Sequence, residues 1–513
     1  MRTPKPPCRP RVSLLGVRHL VLAMVGLSLA ILPAVAMDDA PPPVPAAERP
    51  EVLTSGPVNE AFAQPVNLED QGGVLAPSQP PPPIAEVPPI ERPAGDQFTW
   101  MPGYWSWDTG RNNWIWVSAC WRATPPGMVW VPGYWYQVAG GWQWVPGFWT
   151  LATSRELEYL PMPPPPPECD APVGPPGPDA TWVPGCWYWQ QGRWVIRHGY
   201  WLRQYSGWVW SPSHVRWSPR GYVFCSGHWD RTLERRGVLF APVCLPRYDY
   251  RGGWRYEPSI TINISVLLTH LFVAPRYNHY YVGNYYDHGC ERRGIFPRSQ
   301  TESLRKSYDA LYVHELWSHR DHLATWRDKE RQTVQLLRAN VDLRPAHTYR
   351  EQEARVAKLP PAQRPTVTIA RPLSVEVRAP SPFRFERADL EAQRASERQA
   401  AAQQTYRLER QHWEVGARPS APPAGPAGRD PRPSGWPSPG DDHRWTGGQP
   451  RPVERTDAVK VTIPLPPSPA ARPEPAAPPR PPAEPGAASR PPRAPAPDAK
   501  HGDGPRPDRG RGR

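Results

Sequence analysis

A six-residue phrase, Trp-x-Pro-Gly-x-Trp, constrains this chain more than any other feature. It occurs at Trp100–Trp105, Trp130–Trp135, Trp144–Trp149 and Trp182–Trp187. Of the 26 tryptophans, 21 lie between Trp100 and Trp254. With the first aromatic of each phrase as register, Trp100, Trp116, Trp130 and Trp144 are spaced 16, 14 and 14 residues. After a proline tract, Trp182, Ile196, Trp210 and Phe224 follow at intervals of 14. The copies at 116–121, 196–201, 210–215 and 224–229 are degenerate. A fixed short period of this kind is the mark of a repeat architecture. The chain therefore reads as two arrays of four units, 98–160 and 181–232, separated by a Pro-rich linker at 161–180.

Each unit is punctuated twice, by Pro-Gly inside the phrase and by a Gly-bearing loop between phrases, as at Gly110, Gly140, Gly192, Gly207 and Gly221. Both are turn signals. The residues between them are aromatic and β-branched with partial alternation, which is strand composition. Two arrangements fit. Pro-Gly makes a hairpin turn, or it bends one longer strand while the Gly loop reverses the chain. Pro-Gly prefers type II geometry, whose twist suits tight hairpins poorly, and this favours the bent strand. The expected fold is mainly β: antiparallel meander repeats with one strand per unit, followed by a helical segment and long disordered Pro-rich tails.

Around the arrays the composition changes. Proline accounts for 77 of 513 residues and concentrates outside the repeats. Arg2, Lys5, Arg9, Arg11 and Arg18 precede an apolar run at Leu20–Leu32 and the small residues Ala34 and Ala36. That is the layout of a secretory signal peptide over 1–36 with cleavage after Ala36, and the run is short for spanning a bilayer. Residues 37–97 read as a disordered Pro-rich linker, 233–300 as a β-rich Tyr/His segment and 301–342 as a helix. Residues 343–415 read as charged and partly helical, and 416–513 as a disordered basic Pro/Arg-rich tail. The net charge of +13 comes in part from that tail, so it argues weakly for a polyanion partner. Arg197, Arg203, Arg216, Arg220 and Arg231 interleave with aromatics, but an exported chain rarely meets nucleic acid.

Removal of the signal takes Cys8 with it and leaves Cys120, Cys169, Cys186, Cys225, Cys244 and Cys290. An even number in an exported chain makes these six the candidate disulfide cysteines, with the pairing open. No Cys-x-x-Cys pair suggests zinc or thioredoxin-type chemistry. His314, Glu315 and His319 fall one residue short of the metalloprotease motif, because two histidines five apart diverge by about 140° on a helix. Glu315, His319 and His322 share a face that reads as solvated. His279 and His288, among tyrosines, read as surface or interface groups. No phosphate loop, nucleophile elbow or paired-acid pattern is present, so no catalytic residue, metal site or cofactor is assigned.

The tryptophans themselves are expected to be core, since a repeat this short has few aliphatics. If the repeats present a sugar-stacking face, its candidates are Tyr104, Tyr134, Phe148 and Tyr200, which follow the glycine. The phrase resembles the bacterial YXWGXW (WXXGXW) repeat family of exported proteins. Cys120 and Cys186 depart from the tyrosine of its pattern. The resemblance implies location and repeat character and carries over no catalytic residue. The resulting expectation is a non-enzymatic envelope or surface protein, with envelope proteins or glycans as partners and proline tracts as spacers. The alternative is a carbohydrate-binding module. A third reading makes the helix near 302–340 an adaptor.

Overall fold

The computed structural model describes residues 50–69, 72–166, 174–245, 255–303, 307–361, 364–416, 462–466 and 477–479. The chain divides into Met1–Pro45 and Ala46–Arg513, and everything described lies in the second unit. The signal segment 1–36 and Cys169 are outside the described residues.

The eight units pair two by two into four hairpins. In hairpin 1, β1 (Phe98–Met101) and β2 (Tyr104–Asp108) run out, and β3 (Asn113–Val117) and β4 (Cys120–Ala123) return. Hairpin 2 is β5 (Met128–Val131), β6 (Tyr134–Val138), β7 (Gly141–Val145) and β8 (Phe148–Leu151). Hairpin 3 is β9 (Ala180–Val183), β10 (Cys186–Gln190), β11 (Arg193–Arg197) and β12 (Tyr200–Arg203). Hairpin 4 is β13 (Trp208–Ser211), β14 (His214–Ser218), β15 (Gly221–Cys225) and β16 (His228–Arg231). In each, an inner antiparallel ladder and an outer one are separated by the phrase's Pro-Gly position on both arms. Proline has no N–H for a ladder, so the strand breaks and bends there. Reversal falls to the glycine loops. Gln191 and Gly192 join β10 to β11 with φ of 50° and 76°, the left-handed pair that a two-residue hairpin turn requires.

Pro-Gly is therefore a bend, as the bent-strand reading expects. The meander, however, is segmented. β4 pairs on its far side with Gly237–Leu239, and β7 pairs on its far side with Leu75–Ala76. These flanking segments occupy edges that neighbouring hairpins would otherwise share.

The register explains the phrase. The first tryptophan of one unit faces the last tryptophan of its partner: Trp100 and Trp121, Trp105 and Trp116, Trp130 and Trp149, Trp135 and Trp144, Trp182 and Trp201, Trp210 and Trp229. Ring centroids in these pairs are 5.1–5.4 Å apart and tilted or edge-on, the arrangement aromatic quadrupoles favour. The glycine exists because an indole lies over it. A Cβ at Gly147 would stand 2.4 Å from Trp130 Cζ2, and the same intrusion recurs at Gly133, Gly199 and Gly227. Gly147→Ala is accordingly expected to destabilise by about 1–3 kcal/mol, the usual cost of forcing an overpacked ring aside. The denaturant midpoint should fall with an unchanged m-value. A midpoint like wild type would mean that space is not why glycine stands there.

The segment 50–97 is not a free linker. Leu53, Val58, Phe62 and Val66 are buried, and Gly56–Pro57 extends a sheet containing Leu271–Ala274, His279–Val282 and Phe296–Pro297. Two of its carboxylates plug the bends of array 1. Glu60 accepts from Trp144 Nε1 (2.7 Å) and Gly147 N (2.9 Å). Glu86 accepts from Gly103 N (2.9 Å) and Ala119 N (3.0 Å). Burial raises the Glu86 carboxyl to about 7 against the lowering effect of those N–H groups, the Trp116 indole and Arg407. In hairpin 4 a hydroxyl takes this place, with Ser213 Oγ accepting from Gly227 N at 2.9 Å.

Downstream, the expected single helix at 301–342 is two, α1 (Ala310–Ser318) and α2 (Leu323–Ala339), divided by a 3₁₀ turn at Arg320–His322. A third, α3 (Leu390–Gly416), lies against β1 and β6. Among the described residues no helix is long and apolar enough to cross a membrane.

Candidate functional site

The proposed aromatic face does not form. The segment 50–97 and α3 cover Tyr104, Tyr134 and Phe148, leaving 5%, 1% and 1% exposed. Tyr104 stacks on Trp144 at 5.0 Å, and its hydroxyl lies 3.1 Å from His279 Nε2. Tyr200 is half-buried under the Arg197 guanidinium, 4.4 Å from its ring.

Among the described residues the candidate cysteines are not bonded to one another. None of Cys120, Cys186, Cys225, Cys244 and Cys290 is disulfide-bonded. Cys120, Cys225 and Cys290 belong to different core clusters. Burial pushes the Cys186 thiol up to about 12, with Cys225 nearby adding to the shift. Burial likewise raises the Cys120 thiol, so neither has the thiolate character of a reactive cysteine.

His279 is a core residue rather than a surface one, held between Tyr104 and Glu60 Oε1 (3.3 Å). His319 stacks on Trp326 at 4.8 Å. Among the described residues no group of three or more His, Cys, Asp or Glu is placed to hold a metal ion. Arg216 is buried against Gln64 and His214, and Arg231 lies over Trp208, so these arginines serve the interior of array 2.

What the repeats do grip is proline. In hairpin 1, Trp105 Nε1 donates to the Pro82 carbonyl at 2.8 Å and Trp114 Nε1 to Ser78 Oγ at 3.1 Å. In hairpin 3, Trp187 Nε1 donates to the Pro165 carbonyl at 2.8 Å and Trp194 Nε1 to the Met162 carbonyl at 3.1 Å. Trp105 and Trp187 hold the same place in the phrase, and Trp114 and Trp194 the same place on the returning arm. Pro82 and Pro165 are each the third proline of their run. In hairpin 4, Trp229, again a phrase-terminal tryptophan, donates to the Pro479 carbonyl at 3.3 Å. Hairpin 2 differs because its equivalent donor, Trp135 Nε1, bonds the Trp105 carbonyl and so ties the two hairpins of array 1.

The chemistry is straightforward. Consecutive prolines are held near the polyproline II conformation, which makes no internal hydrogen bonds and leaves its carbonyls to outside donors. An indole supplies a flat apolar face and one N–H. The sequence carried a signal for this clamp. The accepting proline precedes its tryptophan by 23 residues at hairpin 1 and by 22 at hairpin 3. The duplicated unit thus includes the proline run as well as the strands.

The two arrays differ in cover. Trp100, Trp105, Trp114, Trp116, Trp121, Trp130, Trp135, Trp144 and Trp149 are buried. In hairpin 3, Trp182, Trp187, Trp189, Trp194 and Trp201 are all half-buried. A cavity of about 250 Å³ is lined by the Met162–Pro166 strap together with Cys186, Trp187, His214 and Tyr222.

Paired indoles on bent hairpins, with glycine beneath one ring and a proline strap on another, define a tryptophan-hairpin repeat protein. The model of the WXXGXW repeat (2 copies) matches residues 95–119, 126–150, 181–201 and 206–229, so the chain carries WXXGXW repeats at these four places. Each match falls on one hairpin, and one hairpin contains two copies. No curated protein and no solved structure matches the chain.

Proposed function

We propose that this chain is an exported, non-enzymatic protein of the cell envelope whose tryptophan hairpins form a rigid scaffold for interaction or assembly. The observation that supports this reading is the use of the indoles. In array 1 they fill the core and fix flanking segments, which is the work of a scaffold. The export half of the reading rests on the basic, apolar and small-residue order of residues 1–36. Fractionation with N-terminal sequencing tests it, the expected mature chain beginning at Met37. A protein retained in the cytoplasm with its N-terminus intact overturns export. Specific hydrolysis by the purified protein, abolished by removing one acid, overturns the non-enzymatic half.

A glycan-binding module is the second reading, now favoured only by the half-buried row at hairpin 3. Retention on insoluble polysaccharide that is lost in Trp182→Ala or Trp201→Ala is its test.

A further inference from the structure

We infer that the clamp of hairpin 3, Trp187 with Trp194, is a binding site for polyproline segments of another polypeptide, with residues 162–166 as its resident occupant. This names the partner class of the scaffold proposed above and rests on that reading.

The clamp is a device and not an accident of connectivity, because it is built twice. Two proline runs, of four residues at Pro80–Pro83 and of five at Pro163–Pro167, each a short way upstream of its array, meet two tryptophans at matching positions of two hairpins. A third contact comes from the far end of the chain, where Pro479 reaches Trp229 across 250 residues of sequence. The phrase-terminal indole donates to proline carbonyls from segments before and after it, so the ligand is defined by chemistry rather than by its place in the chain.

Hairpin 3 is the copy that can exchange. Trp105 and Trp114 of hairpin 1 are 4% and 3% exposed. Trp187 and Trp194 are half-buried, and the strap itself is loosely covered, with Met162 59% exposed. The 250 Å³ cavity lined by the strap shows that the resident segment leaves part of the groove unfilled. Recognition of this kind needs no charge pairing. It uses a pre-extended segment that loses little entropy on docking, and aromatic faces with a single donor. A tethered resident competes at an effective concentration in about the millimolar range for a short flexible linker. An outside segment therefore wins only when it is locally abundant or longer, which makes the strap a threshold.

The test uses the full chain and a labelled peptide of this protein's own sequence, Ser-Gln-Pro-Pro-Pro-Pro-Ile, read by fluorescence anisotropy. In an opened variant carrying Pro163→Ser, Pro164→Ser, Pro165→Ser and Pro166→Ser, the peptide should bind at least about tenfold tighter than to the wild type. Adding Trp187→Phe and Trp194→Phe, which keep an aromatic ring and remove both donors, should weaken binding again by about tenfold or more. A second measurement needs no variant. In the wild-type chain, peptide at about millimolar concentration should shift the indole N–H resonances of Trp187 and Trp194. Absence of saturable binding to a folded opened variant, undiminished binding in the double Phe variant, or unmoved Trp187 and Trp194 resonances each overturns the proposal. None of these readouts depends on export or hydrolysis, so its failure is distinct from failure of the scaffold reading.

Discussion

Arg410→Ala is expected to destabilise the protein by about 3–5 kcal/mol, the cost of stripping one partner from a fully buried ion pair. Arg410 and Glu414 are one turn apart on α3, and both side chains are 0% exposed. The guanidinium donates to Glu414 Oε1 (2.8 Å) and, through Nη1, to the carbonyls of Pro132 (2.9 Å) and Pro146 (3.2 Å). Its plane lies 5.2 Å from the Tyr134 ring and 5.0 Å from the Phe148 ring. Both proline carbonyls and both rings belong to the Pro-Gly bends of hairpin 2. Glu414 completes the contact by accepting from the hydroxyls of Tyr134 (2.6 Å) and Tyr159 (2.7 Å). Without Arg410, a buried carboxylate loses its cation and two proline carbonyls lose their donor.

The loss should also be local in character. Amide exchange at the C-terminal end of α3 should accelerate before the hairpins open, because Arg410 holds that end of the helix to hairpin 2, while Gln404 and Arg407 still hold Gly103 of hairpin 1. The control is Arg398→Ala. That arginine pairs with Glu391 at 2.8 Å, but the two side chains are 63% and 74% exposed, and such pairs contribute about 1 kcal/mol or less. Equal effects of the two substitutions would show that α3 is not fastened through its buried arginine.

Much of this architecture is legible in the sequence, and the reasons are local. The 14-residue period, the paired tryptophans and the bend at Pro-Gly follow from spacing, from the missing proline N–H and from turn geometry. The covers over Tyr104, Tyr134 and Phe148 are not legible there. The segment 50–97 has the composition of a linker, and nothing in its own pattern says that Pro82 will find an indole or that Glu60 and Glu86 will find the N–H groups of a bend. Such residues fold because a distant surface supplies partners. α3 falls in the segment expected to be partly helical, 343–415, but its docked face is hidden for a related reason. Its buried face is Ser396, Ala400, Tyr406, Arg410 and Glu414, while Leu390 and Leu408 are 60% exposed. Hydrophobic periodicity cannot show which face of a helix docks when its buried stripe is largely polar. The proline clamp was within reach, through two runs at nearly the same distance, 23 and 22 residues, from the equivalent tryptophans Trp105 and Trp187, but a run of prolines is read as spacer by composition alone.

The second large effect is expected at Asp230, where array 1 meets array 2. Asp230 follows the last tryptophan of hairpin 4, and Arg122 follows the last tryptophan of the outer arm of hairpin 1. Asp230 Oδ2 accepts from Arg122 Nη2 at 2.6 Å and lies 2.8 Å from Arg236 Nη2, with all three side chains at most 8% exposed. Arg122 also donates to the Ala61 carbonyl (2.8 Å) and Arg236 to the Phe62 carbonyl (3.0 Å). One carboxylate thus joins two hairpins and the segment threaded between them. Asp230→Ala leaves two buried guanidinium groups without their anion, and about 3–5 kcal/mol of stability should be lost at neutral pH. Arg122→Ala should cost a similar amount, and the double variant clearly less than the sum.

The pH dependence identifies the cause. Burial works to raise the Asp230 carboxyl, but Arg122 and Arg236 overcome it and hold it below the ordinary carboxylate value. A depressed folded value stabilises the fold above the unfolded value, about 4, and that contribution is lost as pH falls through the folded value. The gap between wild type and Asp230→Ala should therefore be full above pH about 4 and close below it. The neighbouring His228 and His214 are lowered by burial to about 4 and about 3. Their contribution is complete above the unfolded value, about 6.5, and fades on acidification towards their folded values, so both proteins should begin to weaken before the aspartate titrates. Denaturant melts at pH 8, 6, 5 and 3 separate the two. A stability gap that stays constant from pH 8 to pH 3 would mean that Asp230 acts by packing and not as the anion between Arg122 and Arg236.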